Sequence, residues 1–112
     1  MNHETLERFR RKLLGTRTTL LERRRQAMAD EDELLGVREP DWEDEAAAVT
    51  AATVLHSIGE KERRVLARIQ ASLDRIDSGT YGECVDCRGA IGEGRLRAIP
   101  EADRCARCAA RS

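Results

Sequence analysis

Residues 80–108 read TYGECVDCRGAIGEGRLRAIPEADRCARC and contain all four cysteines of the 112-residue chain. Cys84 and Cys87 form one C-x-x-C pair, and Cys105 and Cys108 form a second pair after a gap of 17 residues. A C-x-x-C turn points two sulfur atoms at one centre, and two such turns complete a tetrahedron. Because four thiolates leave no open position for water, the spacing predicts one structural Zn²⁺ per chain.

Two other interpretations of the cysteines are a redox pair and unrelated thiols. A thioredoxin-like redox site needs a C-x-x-C pair beside a βαβ pattern, and the sequence has no such pattern. Zinc is therefore favoured. The first pair is expected in a knuckle and residues 92–94 in a turn. Because Pro100 is a common first residue of a helix, the second pair is expected at i and i+3 of a short helix.

Upstream of the cysteines, apolar residues recur with the heptad spacing of a long helix. One row, spaced every seven residues, is Leu6, Leu13, Leu20, Ala27 and Leu34. The neighbouring row is Leu14, Leu21, Met28 and Leu35, with Phe9 at the edge of the stripe. An apolar stripe on an Arg- and Glu-rich segment predicts a helix from about Glu4 to Leu35. Gly36 and Pro40 are typical of its end.

A second helix is predicted from Asp41, a good N-cap, to Ser78, where Gly79 provides a left-handed cap. Its predicted seam is Ala52, Gly59, Leu66 and Leu73, alternating with Leu55, Glu62, Ile69 and Ile76. Gly59 either permits a close helix approach or is a tolerated weak point, and the second interpretation is favoured. A link of about five residues makes the two helices antiparallel neighbours.

These patterns predict a mainly α fold. A long antiparallel coiled-coil hairpin is expected over residues 1–78, with its tip near residues 36–46. A four-cysteine zinc finger with a short C-terminal helix is expected over residues 79–112. Aromatic residues make up 3% of the chain and charged residues 37%, which argues against a β-sandwich or barrel and favours long helices.

Charge is distributed unevenly along the chain. Residues 1–30 carry eight basic and four acidic side chains. Residues 31–60 carry one basic and nine acidic side chains, and residues 61–112 carry eleven basic and eight acidic side chains. The hairpin tip is therefore expected to be acidic. No apolar run could span a membrane, and charges interrupt any signal-peptide core, so a cytoplasmic location without membrane contact is expected. The sequence contains neither a nucleophile–base pattern nor a phosphate-binding glycine loop, and an enzyme is not expected.

The cysteine-containing stretch resembles the DksA/TraR family of zinc-finger transcription regulators. The matching positions are Tyr81-Gly82, Cys84-x-x-Cys87, Ile91, Arg95-Leu96, Ala98, Pro100 and Cys105-x-x-Cys108. The family usually has glycine directly after the first C-x-x-C, whereas here Arg88 precedes Gly89, which predicts a shifted knuckle turn. The DksA branch also carries a D-x-x-D-x-A motif at the hairpin tip, present here as Asp41, Asp44 and Ala46.

The resemblance implies a monomeric protein that binds RNA polymerase and has no sequence-specific DNA binding. Its coiled-coil arm would enter the secondary channel, and its acidic tip would approach the active centre and modulate initiation. Asp41 and Asp44 have helix capping as their simpler role, and Trp42 is either a contact residue or a lid over the hairpin end. The alternative function is a zinc-finger module that binds DNA or another protein, with the hairpin as a spacer.

The resemblance also bears on the nucleotide guanosine tetraphosphate. Family members that respond to it have basic side chains just before the proline and just after the last cysteine. This chain has Ile99 and Ala109 there, so a weak or absent response is expected. Arg68 and Arg95 are the remaining candidates for a nucleotide or polymerase contact.

Overall fold

The computed structural model describes residues 1–34 and 51–111. The helices in these ranges are α1 (His3–Leu34), α2 (Ala51–Ser57), α3 (Glu60–Ser78), α4 (Glu93–Ala98) and α5 (Ala106–Arg111). Within the same residues, β pairing is limited to one isolated antiparallel bridge between Glu83 and Ala90. The predicted mainly α fold class is confirmed. The predicted tip, including Asp41, Trp42, Asp44 and Ala46, lies outside the described residues.

Helix α1 packs antiparallel to α2 and α3, as the short link predicts. Three polar contacts across the seam show the direction: as the residue number rises along α1, the number of its partner falls. The contacts are Arg10 Nη2 to Asp77 Oδ1 (2.7 Å), Arg17 Nη1 to Gln70 Oε1 (3.2 Å) and Arg24 Nε to Ser57 Oγ (2.9 Å). Arginines of α1 therefore line the edge of the seam, and the apolar face of α1 packs inside the seam.

The main core lies where the base of the hairpin meets the cysteine-containing segment. Its buried side chains from the hairpin are Phe9, Leu13, Ile69, Leu73 and Ile76, and those from the finger include Tyr81, Ile91, Leu96 and Ala102. Farther along the arm, a smaller cluster consists of Val54 and Ile58 packed against Leu21, Met28 and Leu66. Most apolar burial therefore lies at the end of the hairpin that carries the finger.

The apolar stripe of α1 differs from the prediction at two positions. Phe9, predicted at the edge, is buried, and Leu14, predicted within the stripe, is 36% exposed. Successive residues of an α-helix are rotated by about 100°, so Leu13 and Leu14 cannot both face one partner helix. Phe9 lies one turn before Leu13 and shares its face. Near the finger, the buried stripe is thus narrower than predicted and centred on Phe9 and Leu13. Farther along the arm, Leu21 and Met28 of the second row do pack in the seam.

The predicted second helix is interrupted at Ile58 and Gly59, which lie between α2 and α3. Gly59 has extended backbone (φ −71°, ψ 167°) and serves as the N-cap of α3, with its carbonyl accepting the Arg63 N–H at 3.0 Å. Glycine is a poor helix former, because it has the most backbone freedom to lose. A single helix through this position was therefore a wrong prediction.

The break also changes which residues face α1. Upstream of Gly59 the buried residues are Val54 and Ile58, whereas the predicted seam residue Leu55 is 51% exposed and Ala52 is also exposed. A helix interruption resets the rotation of one segment relative to the next, so a heptad pattern cannot be carried across it. Among the described residues, no non-neighbouring heavy atom lies within 4 Å of the position a Cβ would take at Gly59, which contradicts the close-approach interpretation.

The end of α3 follows the prediction. Gly79 has φ 84°, and its N–H points to the carbonyls of Arg75 and Ile76 in the last turn of the helix. The N–H groups of Thr80 (2.9 Å) and Tyr81 (3.2 Å) also bond to the Arg75 carbonyl. The helix end and the first residues of the finger are therefore joined by backbone hydrogen bonds. No helix in the two described ranges is long and apolar enough to cross a membrane.

Leu13→Ala should lower the free energy of unfolding by about 2–5 kcal/mol, because Leu13 is completely buried in the main core. Leu14→Ala is the matched control: it removes the same atoms one position away and should cost about 0.5 kcal/mol. Urea unfolding of the zinc-loaded protein, followed by circular dichroism, measures both. Equal losses for the two variants would contradict the assignment of the buried face.

Candidate metal centre

The first C-x-x-C pair lies in a tight knuckle closed by backbone hydrogen bonds. The Cys84 N–H donates to the Gly89 carbonyl at 2.8 Å, and the Ile91 N–H donates to the Gly82 carbonyl at 2.8 Å. The Arg88 N–H returns to the Cys84 carbonyl at 2.9 Å. Because the chain reverses within these few residues, both sulfur atoms of the pair are brought to one side of the knuckle.

The left-handed position of the knuckle turn falls on Arg88, directly after Cys87. Arg88 itself has a positive φ of 66°, and it is the one non-glycine residue with positive φ among those described. Side-chain-bearing residues pay about 1–2 kcal/mol in this left-handed region, where glycine is at ease. Arg88, and not Gly89, thus adopts the conformation that glycine favours.

The second C-x-x-C pair lies at the start of α5 rather than wholly on it. Cys105 precedes the first helical residue, Ala106, and Cys108 is in the first turn. The Cys108 N–H approaches Cys105 Sγ at 3.5 Å, and the Ala109 N–H donates to the Cys105 carbonyl at 2.9 Å. The helix therefore begins at Ala106 and not at Pro100 as predicted. At a helix start the first N–H groups have no partner within the helix, and here one of them points at the Cys105 sulfur.

Two further local predictions need correction. Residues 92–94 do not form a free turn, since Gly92 (φ 96°) is the N-cap of α4 and the next two residues are helical. Pro100 does not start a helix but lies in a turn, where its carbonyl accepts the Tyr81 hydroxyl at 2.8 Å. The sequence between the cysteine pairs thus contains an extra helix, which covers the buried side of the finger with Leu96.

The two cysteine pairs are held together by contacts that the spacing does not predict. The Val85 N–H donates to the Asp103 carbonyl at 2.9 Å, and Arg104 Nε contacts Asp86 Oδ2 at 2.7 Å. Arg95 Nε in turn donates to the Arg104 carbonyl at 3.0 Å. The sequence offers one hint of the Asp86–Arg104 contact. Asp86 lies inside the first cysteine pair, and Arg104, of opposite charge, directly precedes the second pair.

The four cysteine sulfur atoms lie within 4.8 Å of one another, and the Sγ atoms of Cys87 and Cys105 are 3.9 Å apart. A tetrahedral zinc ion with Zn–S bonds of about 2.3 Å sets its sulfur atoms about 3.8 Å apart. Cys84 and Cys105 are buried, so the centre is closed on its inner side. The donor set and its dimensions fit a structural Zn²⁺, as predicted from the spacing.

The protonation of these thiols shows why a cation is needed. Hydrogen bonds from the backbone N–H groups of Cys87 and Cys105 lower the pKa of Cys84 to about 6. The side chains of Cys105 and Cys84 raise the pKa of Cys108 to about 12. Adjacent thiols cannot all ionise, because each new negative charge disfavours the next. A divalent cation removes this repulsion and allows all four to bind as thiolates.

Tyr81 joins the metal centre to the hairpin. Its ring packs against Phe9 of α1 with centroids 5.6 Å apart and a tilt of 49°, while its hydroxyl donates to the Pro100 carbonyl. Burial raises the pKa of the Tyr81 hydroxyl to about 12, so it stays protonated as a donor. Lys12 of α1 also donates to the Arg97 carbonyl. The finger is therefore fixed on the base of the arm.

The structure brings the two predicted arginines, Arg68 and Arg95, to one groove of about 240 Å³ between α3 and the finger. Ile99 and Ala109, the positions where the resemblance implies basic residues in responsive members, line the same groove. Its other lining residues are Glu101, Ala102, Asp103 and Arg104. Arg95 and Arg104 are already bound within the finger, whereas Arg68 makes no ion pair with another described residue. The groove thus combines one uncommitted arginine with two acidic side chains.

Cys105→Ser should release zinc and unfold the finger while the hairpin keeps much of its helix, because metal binding supplies the folding free energy of such sites. Metal analysis gives the zinc content and circular dichroism the helix content. Ala106→Ser, an exposed change one position away, is the control and should keep one zinc per chain. Freshly purified, unoxidised wild-type protein without zinc would refute the site.

A comparison with protein families matches residues 79–112 to the prokaryotic dksA/traR C4-type zinc finger. That segment contains all four cysteines. The match agrees with the donor geometry, and the protein carries a structural zinc.

Similarity to known proteins extends over nearly the whole chain. It is 32% identical to the RNA polymerase-binding transcription factor DksA of Escherichia coli K12 over 96% of this chain and 71% of that protein. Among solved structures, DksA2 from Pseudomonas aeruginosa is similar with a TM-score of 0.69 and 28% identity, over 98% of this chain and 84% of that one. The DnaK suppressor protein from Agrobacterium tumefaciens is similar with a TM-score of 0.60 and 37% identity, over 100% of this chain and 95% of that one. The chain belongs to the DksA/TraR family of zinc-finger transcription regulators.

Proposed function

We propose that this protein binds RNA polymerase in the cytoplasm and regulates transcription initiation as a non-enzymatic factor. Its coiled-coil arm enters the secondary channel, and the acidic tip with Asp41, Asp44 and Ala46 approaches the active centre. The observation that carries the proposal is similarity over almost the full chain, hairpin included, to a protein named for binding RNA polymerase. A match confined to the finger would support a zinc-binding module alone.

The length of the arm and its firm attachment to the finger support the proposal. Helix α1 has 32 residues, which at about 1.5 Å per residue gives an arm about 48 Å long. The contact of Tyr81 with Phe9 and the hydrogen bond from Lys12 to the Arg97 carbonyl fix the arm to the finger. A rigid joint between arm and finger suits a protein that is held at one end and acts at the other, because binding at the base then determines where the tip lies.

The charge pattern supports a separate role for the tip. Residues 31–60 contain nine acidic and one basic side chain, whereas the flanking segments are net basic. Carboxylates concentrated at the tip can change the electrostatic environment of an active centre without contributing much to affinity. Binding and regulation are therefore assigned to different ends of the molecule.

Competition with another secondary-channel factor tests the binding mode. Purified protein should bind RNA polymerase and be displaced by that factor, since both would occupy one channel. If it instead binds promoter DNA in the absence of polymerase, the alternative zinc-finger function is correct. Binding to polymerase without competition would contradict entry into the channel.

In the same assay, the double variant Asp41→Asn/Asp44→Asn should keep most of the affinity for polymerase and lose most of the effect on initiation at a sensitive promoter. Asparagine retains the shape of aspartate and its ability to cap a helix, so stability should change little. Glu60→Gln, an acidic-to-amide change beyond the tip, is the matched control and should retain the effect. Equal transcriptional activity of the double variant and the wild type would exclude the tip from function.

We also propose that regulation depends weakly, if at all, on guanosine tetraphosphate. Phosphate groups are bound best by charge-assisted hydrogen bonds from arginine or lysine. The groove that holds Arg68 carries Ile99 and Ala109 where charged contacts would be needed, together with Glu101 and Asp103, which repel phosphate. Each missing charged contact lowers the binding free energy by about 1.5–3 kcal/mol.

In-vitro transcription with and without the nucleotide measures this dependence, on a polymerase that lacks its own separate nucleotide site. The nucleotide should change the effect of the protein by little. A large synergy that is abolished by Arg68→Ala, and kept by Arg64→Ala on the same helix, would contradict the proposal and identify Arg68 as a phosphate contact.

A further inference from the structure

The zinc centre has an excess of negative charge. Four thiolates around one Zn²⁺ carry a net charge of −2, and Cys84 is completely buried. Charge in a protein interior is unfavourable unless other groups offset it, and groups outside the ligand shell set the affinity of many metal sites. Positive residues that share a cavity with the buried Cys84 are therefore of interest.

Arg75 in the last turn of α3 is one such side chain. Its Nη2 donates to Ser72 Oγ at 3.1 Å, and Ser72 is completely buried. Its Nε atom is buried and has no hydrogen-bond partner in the described structure. No ion pair joins Arg75 to a carboxylate within residues 1–34 and 51–111, although Glu83 lies nearby. A guanidinium held inward without a carboxylate partner is costly unless another negative group is close.

Arg88 approaches the same place from the first knuckle. A cavity of about 190 Å³ is lined by Arg75, Arg88 and Cys84, together with Thr80, Glu83 and Val85. Arg88 is also the residue that holds a left-handed backbone conformation. Arginine at a backbone position that favours glycine indicates that the arginine side chain has a role that glycine could not fill.

We propose that Arg75 and Arg88 are a charge-compensating pair for the zinc centre: two guanidinium groups, one from the hairpin and one from the knuckle, that offset the double negative charge of the zinc–tetrathiolate beside Cys84. They are positioning residues and do not bind the metal. The proposal rests on the zinc site alone, and its failure would leave the polymerase function untouched.

The arrangement also links the two parts of the molecule. The Arg75 carbonyl accepts the N–H groups of Thr80 and Tyr81, which lead into the finger, and Arg75 also lines the cavity beside Cys84. One residue at the end of α3 therefore bonds to the finger through its backbone and shares a cavity with Cys84. Zinc binding should consequently stabilise the last turn of α3 as well as the finger.

Competition with a chromophoric chelator measures the zinc affinity of the full-length protein. Arg75→Met keeps the aliphatic stem and removes the charge, and it should weaken zinc binding by about 10–100-fold, as for other groups outside a ligand shell. Arg75→Lys should restore affinity to within a few-fold of wild type. Arg97→Met, an exposed arginine in the same finger, is the control for net charge and should bind zinc normally.

Arg88 gives an independent test, should Arg75→Met impair folding. Arg88→Asn removes the charge but tolerates the left-handed backbone, so it should weaken zinc binding while the knuckle stays intact. Arg88→Lys should retain the affinity.

A spectroscopic readout separates charge from structure. In the cobalt-substituted protein, loss of a neighbouring positive charge raises the energy of the thiolate electrons and should move the thiolate-to-metal band to longer wavelength. Normal zinc affinity and an unmoved band in both Arg75→Met and Arg88→Asn would overturn the proposal.

Discussion

The rest of the structure depends on four thiols that lie within 4.8 Å of one another. Such a cluster is stable as thiolates only around a divalent cation, because their mutual repulsion otherwise keeps protons on part of the set. The finger itself buries few apolar side chains, chiefly Tyr81, Ile91 and Leu96, and its helices α4 and α5 are six residues each. Its fold is therefore determined by the metal more than by a hydrophobic core.

The ordering produced at the metal reaches the hairpin through Tyr81 and the end of α3. Tyr81 packs on Phe9 with one side and is held at its hydroxyl by the Pro100 carbonyl of the finger. The main core contains residues from both parts, so the hairpin base and the finger bury each other. Toward the distal end of the described arm only the small cluster around Val54 and Ile58 remains. Within the described residues, stability is thus concentrated at the end of the hairpin that carries the finger.

Features set by local chemistry could be predicted from the sequence. The zinc ligands follow from C-x-x-C geometry, the end of α3 from Gly79, and the antiparallel pairing from a short link. Features that depend on how two elements pack against each other could not be predicted from the sequence. Leu14 fits the heptad row but faces away, Gly59 ends one helix and begins another, and the Asp86–Arg104 contact joins residues distant in sequence. Periodicity fixes the angle between residues, but the packing partner decides which angle is buried.

Arg88 illustrates how local strain and metal binding become coupled. A left-handed arginine persists only where its surroundings determine the backbone. Here they consist of its own N–H bond to the Cys84 carbonyl and the weak N–H contact of Gly89 to Cys87 Sγ at 3.4 Å. Both belong to the knuckle that the metal closes. Without the ion, these two contacts alone would have to offset the unfavourable φ of Arg88, whereas a glycine would hold the turn at no such cost. The folding of this finger should therefore depend on zinc more steeply than that of a finger with glycine at this position.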